Sequence, residues 1–267
     1  MSRLSRKLLS RPVALAVSAA LVVALLLVAF LAPLPFTVMQ PGITADTLGS
    51  YQGKQVITIS GHAVRPTSGQ LRMVTIAATA PQDSLSIWDA LSAWPDPDRA
   101  VVPRDAVYPS GQSLSEINRT DQQQMTQSQN DATAAALGYL HLNADQVKVQ
   151  LRLADVGGPS AGLLFALGII DKLAGNGGGG DLTGGRTVAG TGEITSDGQV
   201  KQVGGVALKT KAAARDGATV FLLPSVECSE GRADTPAGLR LVPVDSLAQA
   251  VSALEAIDAG RGAVPSC

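Results

Sequence analysis

With 267 residues, 45% of them hydrophobic but only 3% aromatic, the chain is long enough for one or two cored domains and too apolar to be disordered. Its net charge is −1, unevenly spread: Arg3, Arg6, Lys7 and Arg11 all precede the first acidic residue, Asp46, leaving 17 basic against 22 acidic residues in the remainder. No basic cluster offers a nucleic-acid surface, and two cysteines with two distant histidines form no metal-ligand set, so neither nucleic acid, metal nor cofactor is expected.

Residues 13–32 are apolar except for Ser18, and at about 1.5 Å per helical residue they span about 30 Å, the thickness of a bilayer core. Cations on the N-terminal side place residues 1–12 in the cytoplasm and everything beyond Pro33 outside it. A cleaved signal has a shorter apolar region and small residues before the cut, whereas Phe30 would fill the third position before a cut after Ala32. The expectation is an uncleaved single-pass anchor in the plasma membrane.

Residues 33–142 read as a mixed α/β region. Prolines 33, 35 and 41 mark an irregular exit, residues 56–59 a short strand and residues 71–77 an alternating one. Residues 84–94 read as a capped amphipathic helix with Leu85, Trp88, Leu91 and Ile87 as its inward set, stopped by Pro95-Asp96-Pro97. Residues 114–142 read as helix in one or two pieces, glutamine-rich at first and apolar later. No catalytic constellation is visible in this half, and Asn118-Arg119-Thr120 is only a short glycosylation pattern.

Residues 143–258 are more regular, with strands and helices alternating as in an α/β or α+β core, followed by a tail at 259–267. Strand 147–153 leads into Gly157-Gly158-Pro159-Ser160-Ala161-Gly162 and then an apolar helix at 163–173. Pro159 suits a first helical position, which would leave Ser160 among N–H groups without intrahelical partners. Such donors can hold an oxyanion, yet by itself the hexapeptide fits a Gly-rich connection with a capping serine better. A Gly-rich tract at 175–185 that reads as a flexible surface loop, a strand at 187–194, a short strand at 200–203, a helix at 206–215, strands at 220–223 and 239–244, and a helix at 246–257 complete the domain. An oxidising exterior would allow a Cys228–Cys267 disulfide; two unpaired thiols are the alternative.

Two chemistries can use Ser160. Gly158-Pro159-Ser160-Ala161-Gly162 spells the G-x-S-x-G of α/β-hydrolases, but that fold places its histidine after the serine, and His62 and His141 both precede it. A serine can instead be activated by a neutral lysine. Lys172 is about 18 Å along the same helix and too remote. Lys201, Lys209 and Lys211 remain, with Lys211 about 200° around its helix from Lys209. Taken singly, any one of the four, Lys172 included, is more often a solvated surface charge than a base.

The ordered blocks Gly157 to Gly162, Gly190-Thr191-Gly192-Glu193-Ile194, Gly204-Gly205-Val206-Ala207-Leu208-Lys209 and Ala212-Ala213-Ala214-Arg215 resemble the Lon-type serine endopeptidase domain over residues 147–257. The resemblance implies an α+β (α/β-like) proteolytic domain with Ser160 as nucleophile, Lys209 as general base and Thr191 orienting the amine. Backbone N–H groups near Ser160, with Gly158 and Ala161 as supporting residues, would hold the oxyanion. Asp155-Val156-Gly157-Gly158-Pro159-Ser160 is most similar to the membrane-anchored, ATP-independent branch called PDZ-Lon. The chain departs from that branch in having too few residues between Leu137 and Val147 for a PDZ module. It departs from cytoplasmic Lon in having no G-x-x-x-x-G-K-[ST] loop. The resemblance further implies protein or peptide substrates and a homo-oligomer, with a hexameric ring as the family form. The rival reading is a catalytically silent, membrane-tethered scaffold, which loss of Ser160 or Lys209 would have favoured.

Overall fold

A computed structural model describes residues 11–109, 111–153 and 156–267. The chain forms two compact units, one from Met1–Met39 and Ala78–Gly111, the other from Gln40–Ala77 and Gln112–Cys267. The sequence-based division at 142/143 is therefore not the division between compact units. Residues 40–77 and the long helix after 112 belong with the C-terminal half because their apolar positions enter its core.

In chain order, the elements begin with helix α1 (Arg11–Leu31), strand β1 (Phe36–Asp46), which runs from one unit into the other, and the short strands β2 (Ser50–Tyr51) and β3 (Lys54–Gln55). Strands β4 (Ile57–Ser60) and β5 (Gln70–Ala78), helix α2 (Ile87–Ala93), strand β6 (Ala100–Pro103), helix α3 (Leu114–Tyr139) and strand β7 (Lys148–Leu151) follow. The rest comprises α4 (Gly162–Leu173), β8 (Thr187–Gly190), β9 (Glu193–Ile194), β10 (Val200–Lys201), α5 (Val206–Arg215), β11 (Val220–Pro224), α6 (Cys228–Ala233), β12 (Arg240–Val244) and α7 (Leu247–Ala259).

In the smaller unit, α1 is long and apolar enough to cross a membrane and buries no side chain against the protein. Beyond it, Phe36–Met39 pairs antiparallel with β6, Phe36 opposite Pro103 and Met39 opposite Ala100. α2 opens on a capping box in which Ser86 and Asp89 satisfy each other's backbone N–H. The inward set expected for this helix needs correction: Leu85 and Ala93 are buried, whereas Trp88 and Leu91 are exposed. Ile87 is half-buried, so of the four only Leu85 lies in the core, because apolar spacing along two turns marks a stripe without fixing which face meets the protein.

In the larger unit, five strands stand in the order β12-β11-β8-β5-β1, and β12, β11, β8 and β5 are mutually parallel. Both faces of this sheet are covered. Val220 and Leu222 enter one core together with α4 and α7, while Phe221 and Leu223 enter a second with residues of α5. Burial on both faces explains why β11 reads as an unbroken apolar run rather than an alternating one. α4 is the central core helix, buried from Gly162 to Lys172, with α3 packed along it. β7, the strand that leads toward Ser160, lies outside the central sheet and pairs antiparallel with β4, Ile57 opposite Leu151.

The loop 175–185 is held at several points, contrary to the flexible surface loop its glycines suggest. Arg65 donates to Asp181 Oδ1 at 3.0 Å and to the Gly179 carbonyl at 3.1 Å, and Asn176 Oδ1 accepts from Gly178 and Gly180. Cys228 and Cys267 are disulfide-bonded with Cα atoms 5.3 Å apart, tying the C-terminal residue to the start of α6.

Candidate active site

Each glycine around Ser160 answers a different steric demand. A Cβ on Gly157 would stand 2.8 Å from Asp121 Cβ, and one on Gly162 would stand 2.9 Å from both Ile194 Cγ2 and Ser128 Oγ. Gly158 adopts a φ of 84°, a conformation open to glycine but strained for other residues. The helix itself begins two residues after the serine, at Gly162 with Ala161 as its N-cap, so Pro159 is not the first helical residue as expected. Pro159 closes the preceding turn instead: its carbonyl accepts from Gly162 N–H at 3.2 Å and from Ser128 Oγ at 2.9 Å.

The second block locks onto the first through the backbone. Gly192 N–H donates to the Ser160 carbonyl at 2.9 Å, and the Gly192 carbonyl accepts from Leu163 N–H at 3.1 Å. Two early N–H groups of α4, those of Gly162 and Leu163, therefore have partners within the scaffold. Thr191, fully buried, donates from Oγ1 to the Ser160 carbonyl at 3.3 Å.

The same hydroxyl accepts from Lys209 Nζ at 3.1 Å. α5 delivers this lysine from a start at Gly205, which caps the helix in the left-handed conformation (φ 69°) and thus requires glycine. Lys209 is 4% exposed, and burial lowers its pKa from 10.5 to about 8 against the opposing charges of Glu227 and Glu230. At pH 7 roughly a tenth of such amines are neutral, against about one in three thousand for an ordinary lysine. Ser160 and Lys209 line one cleft of about 350 Å³ together with Asp121, Thr75, Ile76 and Gly157-Gly158.

The other lysines are placed elsewhere. Lys211 forms an ion pair with Asp234 and Lys201 is exposed at the end of β10. Lys172 is buried at the far end of α4, where Nζ donates to the Leu48 carbonyl at 2.9 Å. The expectation of solvated charges thus fails for both Lys172 and Lys209, because neither residue type nor helical position reports that a lysine points into a core. His62 is exposed, with Nδ1 against the Ala63 carbonyl, and His141 is exposed just past α3 with a φ of 54°; neither lines the cleft. Asp155, the first residue of the branch-like phrase, lies outside the described residues. Among the described residues no group of three or more His, Cys, Asp or Glu side chains is arranged to hold a metal ion.

Three contributions escaped the sequence reading. Asp121, on α3, sits in a glutamine-rich stretch where a carboxylate looks like any solvated charge, yet it lines the cleft and its carbonyl accepts from Gly158 N–H at 3.3 Å. β5 brings Thr75 and Ile76, so residues from the first half do help form the site. Glu227 is buried with Oε1 accepting from Val203 N–H at 2.8 Å; burial raises its own pKa, while its charge supports protonation of Lys209.

The class follows from fold and cleft: a mixed α/β domain, its parallel sheet covered on both faces, with a cleft lined by a serine and a water-shielded lysine. The particular family follows from the sequence of this same unit. Residues 123–254 match the family model of the Lon protease (S16) C-terminal proteolytic domain, and the chain accordingly carries a Lon-type serine protease domain acting on protein substrates.

Proposed function

We propose that the protein is an ATP-independent, membrane-anchored serine endopeptidase that cleaves flexible or unfolded extracytoplasmic or membrane proteins through Ser160 and Lys209. The observation that carries this reading is Lys209: buried, depressed to a pKa of about 8, bonded to Thr191 and lining the same cleft as Ser160. Neutral Lys209 takes the Ser160 hydroxyl proton as Oγ attacks the peptide carbonyl. Thr191 orients the amine and, through the Ser160 carbonyl, fixes the backbone bearing the nucleophile. Backbone N–H groups beside Ser160, with Gly158 and Ala161 shaping that turn, hold the oxyanion. Its collapse breaks the peptide C–N bond as protonated Lys209 gives its proton to the leaving amine, and water deprotonated by the regenerated amine then hydrolyses the acyl-enzyme and returns the proton to Ser160.

α1 supports the anchor, and the cations preceding it support a cytoplasmic N-terminus with the protease domain outside. The sequence contains no nucleotide-binding G-x-x-x-x-G-K-[ST] loop, which supports ATP independence and hence substrates that are already unfolded. Assembly into a homo-oligomer, with a hexameric ring as the form to test by light scattering, is part of the same reading. Retention of both Ser160 and Lys209 argues against a silent scaffold.

The test is cleavage of an unfolded protein by the full chain in lipid nanodiscs without ATP. Ser160→Ala and Lys209→Ala should each lose at least about a thousandfold in kcat/KM, with Lys211→Ala within about twofold of wild type. Equal activity of wild type and Ser160→Ala would overturn the reading, and a dead Lys211→Ala beside an active Lys209→Ala would move the base to the wrong side of α5.

A further inference from the structure

The smaller unit carries a surface that peptide hydrolysis does not use. In α2 the one charged residue is Asp89, which the capping box with Ser86 holds at the helix start. Trp88, Leu91 and Trp94 follow at three-residue spacing and so form a stripe. They are 65%, 56% and 80% exposed, while Ala93 and the preceding Leu85 face inward. These are the only two tryptophans in the chain, and full hydration is an unfavourable place for both.

The position of the stripe identifies what covers it. Phe30, in the last turn of α1, stacks on Trp88 with ring centroids 5.5 Å apart and planes 17° from parallel. Three residues beyond α1, Leu34 forms an antiparallel bridge with Leu85, its N–H donating to the Leu85 carbonyl at 2.9 Å. α2 is thereby fixed at the C-terminal exit of a helix that buries none of its own apolar side chains in protein. Tryptophan, with an apolar ring system and one N–H, favours the boundary between acyl chains and headgroups. Within α2 and its flanks no lysine or arginine accompanies the stripe before Arg99, so the attraction is apolar rather than electrostatic.

We propose that α2 lies in the interfacial layer of the bilayer at the end of α1, with Trp88, Leu91 and Trp94 at headgroup depth, so that the anchor is a spanning helix with an interfacial foot. The proposal rests on reading α1 as a membrane span. The foot restrains how the smaller unit can rotate about the span, which a single helix followed by an irregular exit would not do.

Intrinsic fluorescence of the full chain in phosphatidylcholine vesicles reads this segment alone, because Trp88 and Trp94 are the only tryptophans. Trp88→Phe keeps an aromatic ring against Phe30 and leaves Trp94 as the reporter away from α1. Flotation of the vesicles after an alkaline wash tests the span separately. The expected result is flotation, together with Trp94 quenching by lipid brominated near the headgroup that exceeds quenching by lipid brominated near the chain end by about twofold or more. Acrylamide should quench weakly, and exchanging part of the lipid for phosphatidylglycerol should change nothing. Flotation with Trp94 open to acrylamide and untouched by brominated lipid would overturn the foot, the stripe then facing water or a protein partner, while leaving the span intact. Loss of flotation would overturn both.

Discussion

Two lysines of the larger unit are buried, and the contrast between them defines what makes one of them a candidate base. Lys172 ends α4 with Nζ on the Leu48 carbonyl, and the charges of Asp46 and Asp171 oppose the lowering of its pKa by burial. Asp171, itself buried, is pushed up to about 6 by desolvation and faces Arg65 as well, with Oδ1 bonded to Leu182 N–H. Lys209 is shielded from water to a similar degree but donates to a hydroxyl, and its carboxylate neighbours Glu227 and Glu230 do not hold its pKa above about 8. Burial alone therefore does not separate a structural cation from a base. The separation lies in what the amine bonds to and in whether it reaches a cleft that holds a nucleophile.

Exchanging the two roles breaks the comparison most sharply. Lys209→Ala is expected to lose at least about a thousandfold in kcat/KM with little loss of folding stability, since a depressed buried cation opposes folding below its pKa. The linkage sign supports this: the folded pKa of about 8 lies below the unfolded 10.5, so the folded state binds fewer protons between these values and the contribution of Lys209 to stability rises with pH across that window. Lys172→Met should do the reverse: burial lowers the Lys172 pKa too, but Met leaves the buried Leu48 carbonyl without its donor and takes a neighbouring cation from the fully buried Asp171, costing about 3 kcal/mol of stability, while kcat per folded molecule stays within about threefold. Denaturant titration alongside active-site counting separates the two outcomes.

A comparable effect on stability without any titrating group comes from the disulfide. Cys228 and Cys267 are 39 residues apart, and opening a loop of that size by Cys267→Ser should cost roughly 2–4 kcal/mol, read as a lower denaturant midpoint that reducing agent reproduces in the wild type. Because Cys228 follows Glu227 directly, this variant also sharpens the comparison: loosening α6 should perturb Lys209 and leave Lys172 alone. The smallest expected effect is that of Glu227→Gln. Removing a carboxylate that raises the Lys209 pKa should move the alkaline-rising limb of kcat/KM from about pH 8 toward lower pH by less than about one unit, and a shift toward higher pH would contradict the electrostatics.

Much of this architecture is readable from residue patterns, and the failures share a physical cause. The helix at 206–215 is marked by its glycine pair and small apolar residues, α4 by its continuous apolar run, and α2 by its apolar spacing and the proline stop after Trp94, because these signals are local. The cap of α2 is Ser86 rather than a start at residue 84. Burial of Lys172 and Lys209 is not local: both lysines look like surface charges until the sheet and its covering helices surround them. Asp121 and β5 reach the cleft through long-range packing that period and composition do not encode. The exposed Trp88 and Leu91 fail differently, since an apolar stripe faces whatever apolar medium is present, core or lipid. The 175–185 loop looks mobile from its glycines, yet distant Arg65 and local Asn176 give its backbone partners.

The central claim, that Lys209 is the base for Ser160, is tested most directly by the pH dependence of phosphonylation by a serine-reactive phosphonate, the labelled residue being located by mass spectrometry. The account predicts labelling at Ser160 at a rate that rises through an apparent pKa of about 8, collapses in Lys209→Ala and persists in Lys211→Ala. Labelling at another serine, or an unchanged rate and profile in Lys209→Ala, would contradict it.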